Sequence, residues 1–504
     1  MEKRLSLISV YDKEGIVDFA KELISLNFEI IATSKTYEIL KNNNINCIEI
    51  SEYTGFKEIL KGRVKTLHPL IFGGILSFGK EEEGIKPISM VVCNLYPFEK
   101  KLLENLSEEE MIELIDIGGV SLLRAGAKNY KYVTTIFDKE DYPIVISEIK
   151  KYGNTSLELR RKLAYKALNY VAYYDSIIAE YFRKLNNEII FQDYLSLPMK
   201  KGLKLRYGEN PHQNGFYYEE PFLKRNFSYL WGKELSYNNL LDINSVYNII
   251  FDFDFLEFKD YKLCCLIKHN TPCGIALGKT TKEAFEKAYL SDPVSAFGGI
   301  CGFNCEVDKE TAEKIIETVF LEVICAPAFK KEALDILKKK KNLRIIKLEK
   351  NENNFEIRNC LTGYLLQERD KKIIKEKDFK LMTKRKPSAR EIKDALFAYF
   401  CVKYVKSNGI VIVKDLATVG IGGGQTSRID SVEIAIKKSG KRCVDGVLAS
   451  DGFFPFSDSI ELAAKNGIKV IIEPGGSIRD EEVIKAAEEN NITLIFTNVR
   501  HFRH

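Results

Sequence analysis

Residues 263–274 read Leu263-Cys264-Cys265-Leu266-Ile267-Lys268-His269-Asn270-Thr271-Pro272-Cys273-Gly274. The apolar run 263–267 predicts a buried β-strand, and the Pro and Gly that close the stretch predict a tight loop at its end. In α/β sheets, ligands sit outside such carboxyl ends. The loop holds one of only five histidines in 504 residues. A lysine beside it favours neutral imidazole, because like charges oppose each other. Neutral imidazole accepts a proton near pH 7. Taken alone, such a pair is ordinarily a solvated one at a strand end. The other histidines change that reading. His68 sits in Gly62-Arg63-Val64-Lys65-Thr66-Leu67-His68-Pro69, His212 in Arg206-Tyr207-Gly208-Glu209-Asn210-Pro211-His212, and His501 and His504 close the chain. Each lies among polar, Gly or Pro residues, which points to loops with work to do.

A chain this long implies two to four domains. Its 45% hydrophobic and 29% charged residues are those of a globular protein. The net charge of +5 is small against 76 basic and 71 acidic residues, so nothing demands a nucleic-acid partner. No apolar stretch has the length of a membrane span, and no signal peptide is expected. Eleven cysteines without a regular framework suit reduced thiols in a cytosol. Pro272-Cys273 matches half of a P-C-x-x-C zinc-deaminase signature. Position 276 is alanine, so no metal site is expected.

Strand, polar loop and helix alternate from the start, the pattern of a parallel sheet. Residues 5–10 and 28–32 read as strands. Thr33-Ser34-Lys35-Thr36 is either a phosphate cradle at a helix start or an ordinary cap. Arg63 and Lys65, two apart in an extended segment, project to one side and suit an anion. Asp116 precedes Ile117-Gly118-Gly119. It lies twelve residues from Lys128, so only tertiary folding can bring the two together. A long amphipathic helix is expected over 157–185, with Leu163, Ala167, Val171, Ile178 and Phe182 inward. A linker near 186–203 separates a first domain, 1–195, from a second, 200–504. The second divides into subdomains near 200–380 and 381–504, because its βα units recur near 260–330 and 410–500. The glycines of Val419-Gly420-Ile421-Gly422-Gly423-Gly424-Gln425 miss the dinucleotide spacing but leave a loop able to cradle an anion. Phe453-Phe454-Pro455-Phe456 either stacks a flat ring or packs in the core.

Taken in order, these clusters, with Lys233-Glu234-Leu235-Ser236-Tyr237-Asn238-Asn239, carry a resemblance over essentially the whole chain. It resembles the bifunctional purine biosynthesis family, which joins phosphoribosylaminoimidazolecarboxamide formyltransferase to IMP cyclohydrolase. The resemblance implies an α/β protein: an N-terminal methylglyoxal-synthase-like parallel-sheet domain, then a transformylase of two zinc-free cytidine-deaminase-like subdomains. It implies a cytoplasmic homodimer that uses 10-formyltetrahydrofolate as co-substrate. For cyclohydrolase it selects Tyr11, Asp12, Lys13, Thr33, Ser34, Lys35, Thr36, Arg63, Lys65, Thr66, Cys93, Asn94, Tyr96, Asp116, Ile117 and Lys128. Ser34-Lys35 stands where the family usually has two glycines. For the nucleotide of the transformylase it selects Arg206, Tyr207, Lys268, His269, Gly298, Glu322, Asn408 and Arg428. For the folate it selects Ile429, Phe453, Asp458, Ser477, Ile478 and Arg500, with His504 also at the site.

The expected roles follow from chemistry. His269 takes the proton of a delocalised, poorly nucleophilic amine, Lys268 steadies the oxyanion, and Asn408 orients the carboxamide. Lys128 and Asp116 move protons in ring closure, with Tyr96 assisting. A phosphate-sensing module would not need Lys268-His269. An RNA-binding protein would show a basic, aromatic-studded face.

Overall fold

The computed structural model describes residues 3–256, 258–351 and 354–504. The chain divides into two compact units, one of residues 1–200 with 218–224, the other of residues 201–217 with 225–504.

The first unit is built on five parallel strands: β1 (Arg4–Ser9), β2 (Phe28–Ala32), β3 (Ile48–Glu49), β4 (Ile88–Cys93) and β5 (Thr134–Ile136). Their spatial order is β3-β2-β1-β4-β5. Alternate residues feed two cores. Leu5, Leu7, Val91 and Cys93 face one, while Ile8, Ile30, Met90 and Val92 face the other. A sheet covered on both faces needs nearly continuous apolar strands, and these supply them. Helix α1 (Ile16–Ser25) returns the chain from β1, and α2 (Ser34–Asn42) follows β2. Further on, α3 (Gly118–Lys128) packs against α4 (Leu157–Leu185). The order turns back between β1 and β4, which places a crevice at their carboxyl ends.

Two expectations change here. Ser34, Lys35 and Thr36 are the first turn of α2 rather than a loop. On α4 the buried stripe passes through Leu163, Ala167 and Val171 but continues through Tyr174 and Ile177, leaving Phe182 exposed. At 3.6 residues per turn, the stripe needs steps of three as well as four to hold its face.

The second unit holds a twelve-stranded sheet. In chain order its strands are β6 (Phe227–Trp231), β7 (Lys262–Lys268), β8 (Thr271–Gly278), β9 (Ile300–Phe303), β10 (Val323–Ala326) and β11 (Arg344–Leu348). Then come β12 (Lys380–Leu381), β13 (Ile410–Lys414), β14 (Ala417–Gly422), β15 (Val447–Ser450), β16 (Val470–Glu473) and β17 (Thr493–Phe496). In space they run β12-β17-β16-β15-β13-β14-β8-β7-β9-β10-β11-β6. The two halves match strand for strand about the antiparallel β8–β14 contact, Ala276 against Ala417. After its edge strand, β6 or β12, each half continues with a helix, α5 (Tyr237–Asp252) or, in the other half, Ala389–Val402. A two-residue hairpin follows, and after it the helix α6 (Thr281–Ser291) or Arg428–Ser439.

The repeat extends to single atoms. His269 and Asn270 have φ of 53° and 60°, and Asp415 and Leu416 have 53° and 58°. In each turn an aspartate on the opening helix accepts backbone N–H groups: Asp242 from Asn270, and Asp394 from Asp415 (3.1 Å) and Leu416 (2.8 Å). Left-handed residues turn their N–H groups out of the ladder, and a fixed carboxylate satisfies them.

Two sequence readings are corrected by this sheet. The tight loop is only His269-Asn270, and Pro272-Cys273-Gly274 already belong to β8. Gly420 and Gly422 are likewise strand residues rather than an anion cradle. A Cβ on Gly420 would lie 2.1 Å from the Ala435 carbonyl oxygen, and one on Gly274 would lie 2.0 Å from that of Ala288. These glycines let a helix lie close on the central strands.

Candidate functional site

In the first unit the expected cluster forms where β1, β2 and β4 end. Asn94 closes the crevice: its Oδ1 accepts the backbone N–H groups of Tyr11 and Asp12 (2.9 Å for the latter), and its Nδ2 donates to the Asp12 carbonyl (3.0 Å). The Tyr11 and Tyr96 rings meet edge to face at 5.7 Å. Lys13 folds back onto the Val10 and Tyr11 carbonyls. Burial and the nearby ammonium groups of Lys65 and Lys35 hold its pKa below the ordinary lysine value. Three cations around the start of α2 make a strongly positive corner, suited to phosphate. Thr33 and Thr36 anchor that turn inward, through Ser9 (3.1 Å) and the Val10 carbonyl (3.3 Å). Ser34 is spent on Glu58 (2.8 Å), and Lys35 is exposed.

Asp116 sits before α3 with its Oδ1 on the Gly119 N–H (2.7 Å), and its own N–H donates to the Tyr174 hydroxyl (2.9 Å). Burial raises its pKa against the backbone N–H groups of Gly119 and Tyr96 and the pull of Lys65. The paired glycines are explained by contact. A Cβ on Gly118 would meet Thr66 Oγ1 at 2.6 Å, and one on Gly119 would meet Asp116 Oδ2 at 2.6 Å. Cys93 lies beneath, its thiol pushed up by burial and by Asp116. Ile117 is exposed beside them.

Two residues do not join as expected. Arg63 is not in an extended segment with Lys65; it has helical backbone angles and pairs with Glu113 at the surface. Lys128 is the last residue of α3, and Asp116 lies before its first. At 1.5 Å per residue, about 15 Å of helix separates them, so no proton passes directly between them within one chain. His68 does structural work, its Nδ1 accepting the Leu70 N–H at the start of helix Pro69–Leu76 (3.2 Å).

In the second unit one edge of the sheet gathers residues that the sequence reading expects to serve formyl transfer. β9 runs antiparallel to β7, so the His269 turn shares an edge with the amino ends of β9, β10 and β11. That is a correction: in this half only β7 and the edge strand β6 present their carboxyl ends there, and the other four strands present their amino ends. β14 runs antiparallel to β8, which brings Gly422 and the start of β13, and with them Asn408, to the same edge.

On the first side, Lys268 Nζ donates to the Phe297 carbonyl (2.7 Å). Asp242 lies at the turn, its pKa raised by burial while the Asn270 N–H and His269 oppose the rise. Lys268 is therefore not the sole charge beside the imidazole. Arg206 donates to the Tyr207 hydroxyl (2.6 Å) and lies over its ring at 4.6 Å. Glu322 accepts from Asn239 Nδ2 (2.9 Å) and approaches Arg344 at 3.7 Å. Arg344 is buried, its pKa lowered by burial, and its Nε donates to the Glu234 carbonyl (2.9 Å). Gly298, with φ of 72°, turns the chain nearby. Asp242, Ser245 and Arg344 escaped the sequence reading, and Asn239 figured there only inside a longer motif. The cap Ser236-x-x-Asn239 and the i, i+3 spacing along α5 signal the three helix residues, whereas Arg344, at the start of β11, has no such signal.

On the second side Arg428 is the hub. It donates to Ser450 Oγ (2.8 Å), to Asp451 Oδ1 and to Asn408 Oδ1 (2.8 Å). Asn408 Nδ2 in turn donates to the carbonyls of Gln425 (3.0 Å) and Thr426 (3.2 Å). Ser407 reaches Asp451, and Arg503 spans from Ser407 to Ser245 beside the His269 turn. Ile429 is half-buried in the first turn of Arg428–Ser439. The aromatic run splits: Phe454 is fully buried, while Phe453 and Phe456 stay exposed, Phe456 under Arg479 at 4.6 Å. Asp458 is exposed at the start of helix Asp458–Lys465. Ser477 and the fully exposed Ile478 lie in a loop whose N–H groups at Gly476 and Ser477 donate to Asp480 (2.8 and 2.9 Å). Arg500 covers Phe502 at 4.2 Å, and the His504 carbonyl accepts from Arg358 (2.6 Å). His501 is buried, its Nδ1 2.6 Å from Asp370, and serves packing.

A family model described as "AICARFT/IMPCHase bienzyme" matches residues 126–438, and one for an MGS-like domain matches residues 15–121. The chain is 50% identical to the bifunctional purine biosynthesis protein PurH of Caldicellulosiruptor saccharolyticus, covering 99% of each. It is 49% identical to that of Persephonella marina over 99% of this chain and 100% of the relative. The PurH of Aquifex aeolicus matches at 49% with the same coverage.

Proposed function

Because the chain belongs to the AICARFT/IMPCHase bienzyme family, we propose that it carries out the last two steps of IMP synthesis with one activity on each unit. The second unit moves a formyl group from 10-formyltetrahydrofolate to the 5-amino group of 5-aminoimidazole-4-carboxamide ribotide. The first unit closes the ring with loss of water. The observation that carries the reading is the gathering of His269, Glu322, Asn408 and Arg428 at one edge of one sheet.

In formyl transfer the amine nitrogen attacks the formyl carbon while His269 accepts the amine proton. The N10–formyl bond then breaks, and the folate nitrogen takes up a proton. Lys268, which already donates to a carbonyl oxygen, is the donor for the oxyanion. Asn408, fixed by Arg428 and two carbonyls, orients the carboxamide. Arg206 and Tyr207 hold the ribotide. Ile429, Phe453, Asp458, Ser477, Ile478 and Arg500 take the folate.

In ring closure the carboxamide nitrogen attacks the formyl carbon, and the formyl oxygen leaves as water. Asp116, whose raised pKa lets it carry a proton nearer neutrality, serves that exchange with Tyr96. Lys13, Lys35 and Lys65 hold the phosphate. The working form is a cytoplasmic homodimer, as the resemblance implies. Among the described residues no helix is long and apolar enough to cross a membrane. Sedimentation of the purified chain checks the dimer.

The test supplies purified protein with ribotide and 10-formyltetrahydrofolate and follows IMP by absorbance. His269→Ala, with folding checked by circular dichroism, is expected to lower formyl transfer roughly 100-fold. Near-normal turnover would remove His269 from the role.

A further inference from the structure

Glu473 ends β16 with none of its surface exposed. Its Oε2 accepts the Phe454 N–H at 2.7 Å, and its Oε1 has no hydrogen-bond partner. The residue stands between two loops assigned above to the folate. One runs from Gly452 to Asp458, and Phe454 is its buried foot. The other begins at Pro474, directly after Glu473, and is tied by Asp480 at Gly476 and Ser477. Among the described residues the loops make no other side-chain hydrogen bond; their further contact is Arg479 lying over the Phe456 ring at 4.6 Å, so the carboxyl is the buried, directional joint between them.

We propose that Glu473 is a positioning residue for the formyl donor, pinning the Phe453–Phe456 loop to the Pro474–Asp480 loop through the Phe454 N–H. The inference rests on the folate reading of those loops.

The surroundings make the pin sensitive to charge. Burial pushes the Glu473 pKa up to about 8; the Phe454 N–H opposes the rise, Asp480 adds to it, and Arg428 opposes it. The groups facing it are Arg428 from helix Arg428–Ser439, Asp480 from helix Asp480–Glu489, and the Tyr399 hydroxyl from helix Ala389–Val402. Arg428 is already committed to Asp451, Ser450 and Asn408. An ionised Glu473 therefore competes with Asp451 for one guanidinium. Ionisation strengthens the Phe454 hydrogen bond, but the cost of burying the charge outweighs it, and the competition for Arg428 works against both the folate loops and the Asn408 amide that orients the other substrate.

Steady-state kinetics of the full chain between pH 6.5 and 9 test this. With wild type, KM for 10-formyltetrahydrofolate is expected to rise on the alkaline side while kcat changes less. Glu473→Gln keeps an acceptor for the Phe454 N–H and cannot ionise, so its donor KM stays low and flat across the range. Glu473→Ala raises that KM roughly tenfold at pH 7, the worth of one buried hydrogen bond. An alkaline limb in Glu473→Gln equal to that of wild type would overturn the proposal, as would an unaltered donor KM in Glu473→Ala. Should the alanine variant fail to fold, the glutamine comparison decides alone. Hydrogen exchange over residues 453–457, read by mass spectrometry, tests the pin without substrate. Protection in wild type and Glu473→Gln at pH 7 supports it, and equal protection in a folded Glu473→Ala overturns it. A wild-type chain that never turns over would sink the folate reading, while the exchange result still decides the pin.

Discussion

Replacing Glu473 by Gln should make the second unit more stable, and by an amount that grows with pH. The carboxyl ordinarily titrates at 4.5 and is pushed up to about 8 in the folded chain. The folded state therefore holds the proton more tightly than the unfolded state between those values. Stability gained from this group is fully present below 4.5 and is lost as pH rises through about 8. At about 1.4 kcal/mol per pH unit, the whole interval carries about 5 kcal/mol, of which about 3 kcal/mol is already lost at pH 7. Gln cannot ionise and still accepts the Phe454 N–H, so it escapes that loss. A unit of this size moves its melting midpoint by about 2–4 °C for each kcal/mol. Thermal unfolding of both proteins at several pH values from 5.5 to 8.5 is the assay. The midpoint difference should be small at the acid end and widen steadily towards pH 8.5. A difference that stays constant across the series would refute the reasoning, because a plain packing effect does not titrate.

Other outcomes follow from the same geometry. Gly420→Ala would place a carbon 2.1 Å from the Ala435 carbonyl oxygen and should cost about 1–3 kcal/mol or more of stability, read by thermal unfolding. Arg428→Ala leaves the fully buried Asp451 without its cation. It should lose about 3–5 kcal/mol, measured by denaturant titration of the second unit. Asp116→Asn should halt ring closure while formyl transfer continues, so that the formylated ribotide accumulates in the coupled assay. Loss of both activities in a folded Asp116→Asn would contradict separate sites.

Local chemistry marked much of this protein in advance. Runs such as 90–93 and 263–267 are apolar throughout because their strands are covered on both faces, and that is visible in any such segment. Helix Leu157–Leu185 was legible from end to end because periodicity persists over eight turns. Gly420 and Gly422 were misread because a strand glycine beneath a helix and a loop glycine around an anion look alike in sequence. Only the Ala435 carbonyl beside Gly420 distinguishes them. Asn239, Asp242 and Arg344 gave little sign of themselves, since each acts through a partner far along the chain.

The residue types and their order marked the candidate side chains: a histidine at a strand end, cations near a helix start, and carboxylates beside apolar strands. Strand direction decided which of them meet. Antiparallel β7, β9, β8 and β14 bring the His269 turn, Glu322 and Asn408 to one edge, although 139 positions separate the histidine from the asparagine. A helix likewise decided that Asp116 and Lys128 lie at its opposite ends. Local sequence sets backbone preference and charge within a few residues, whereas distance between remote residues is fixed only when the sheet chooses its pairings.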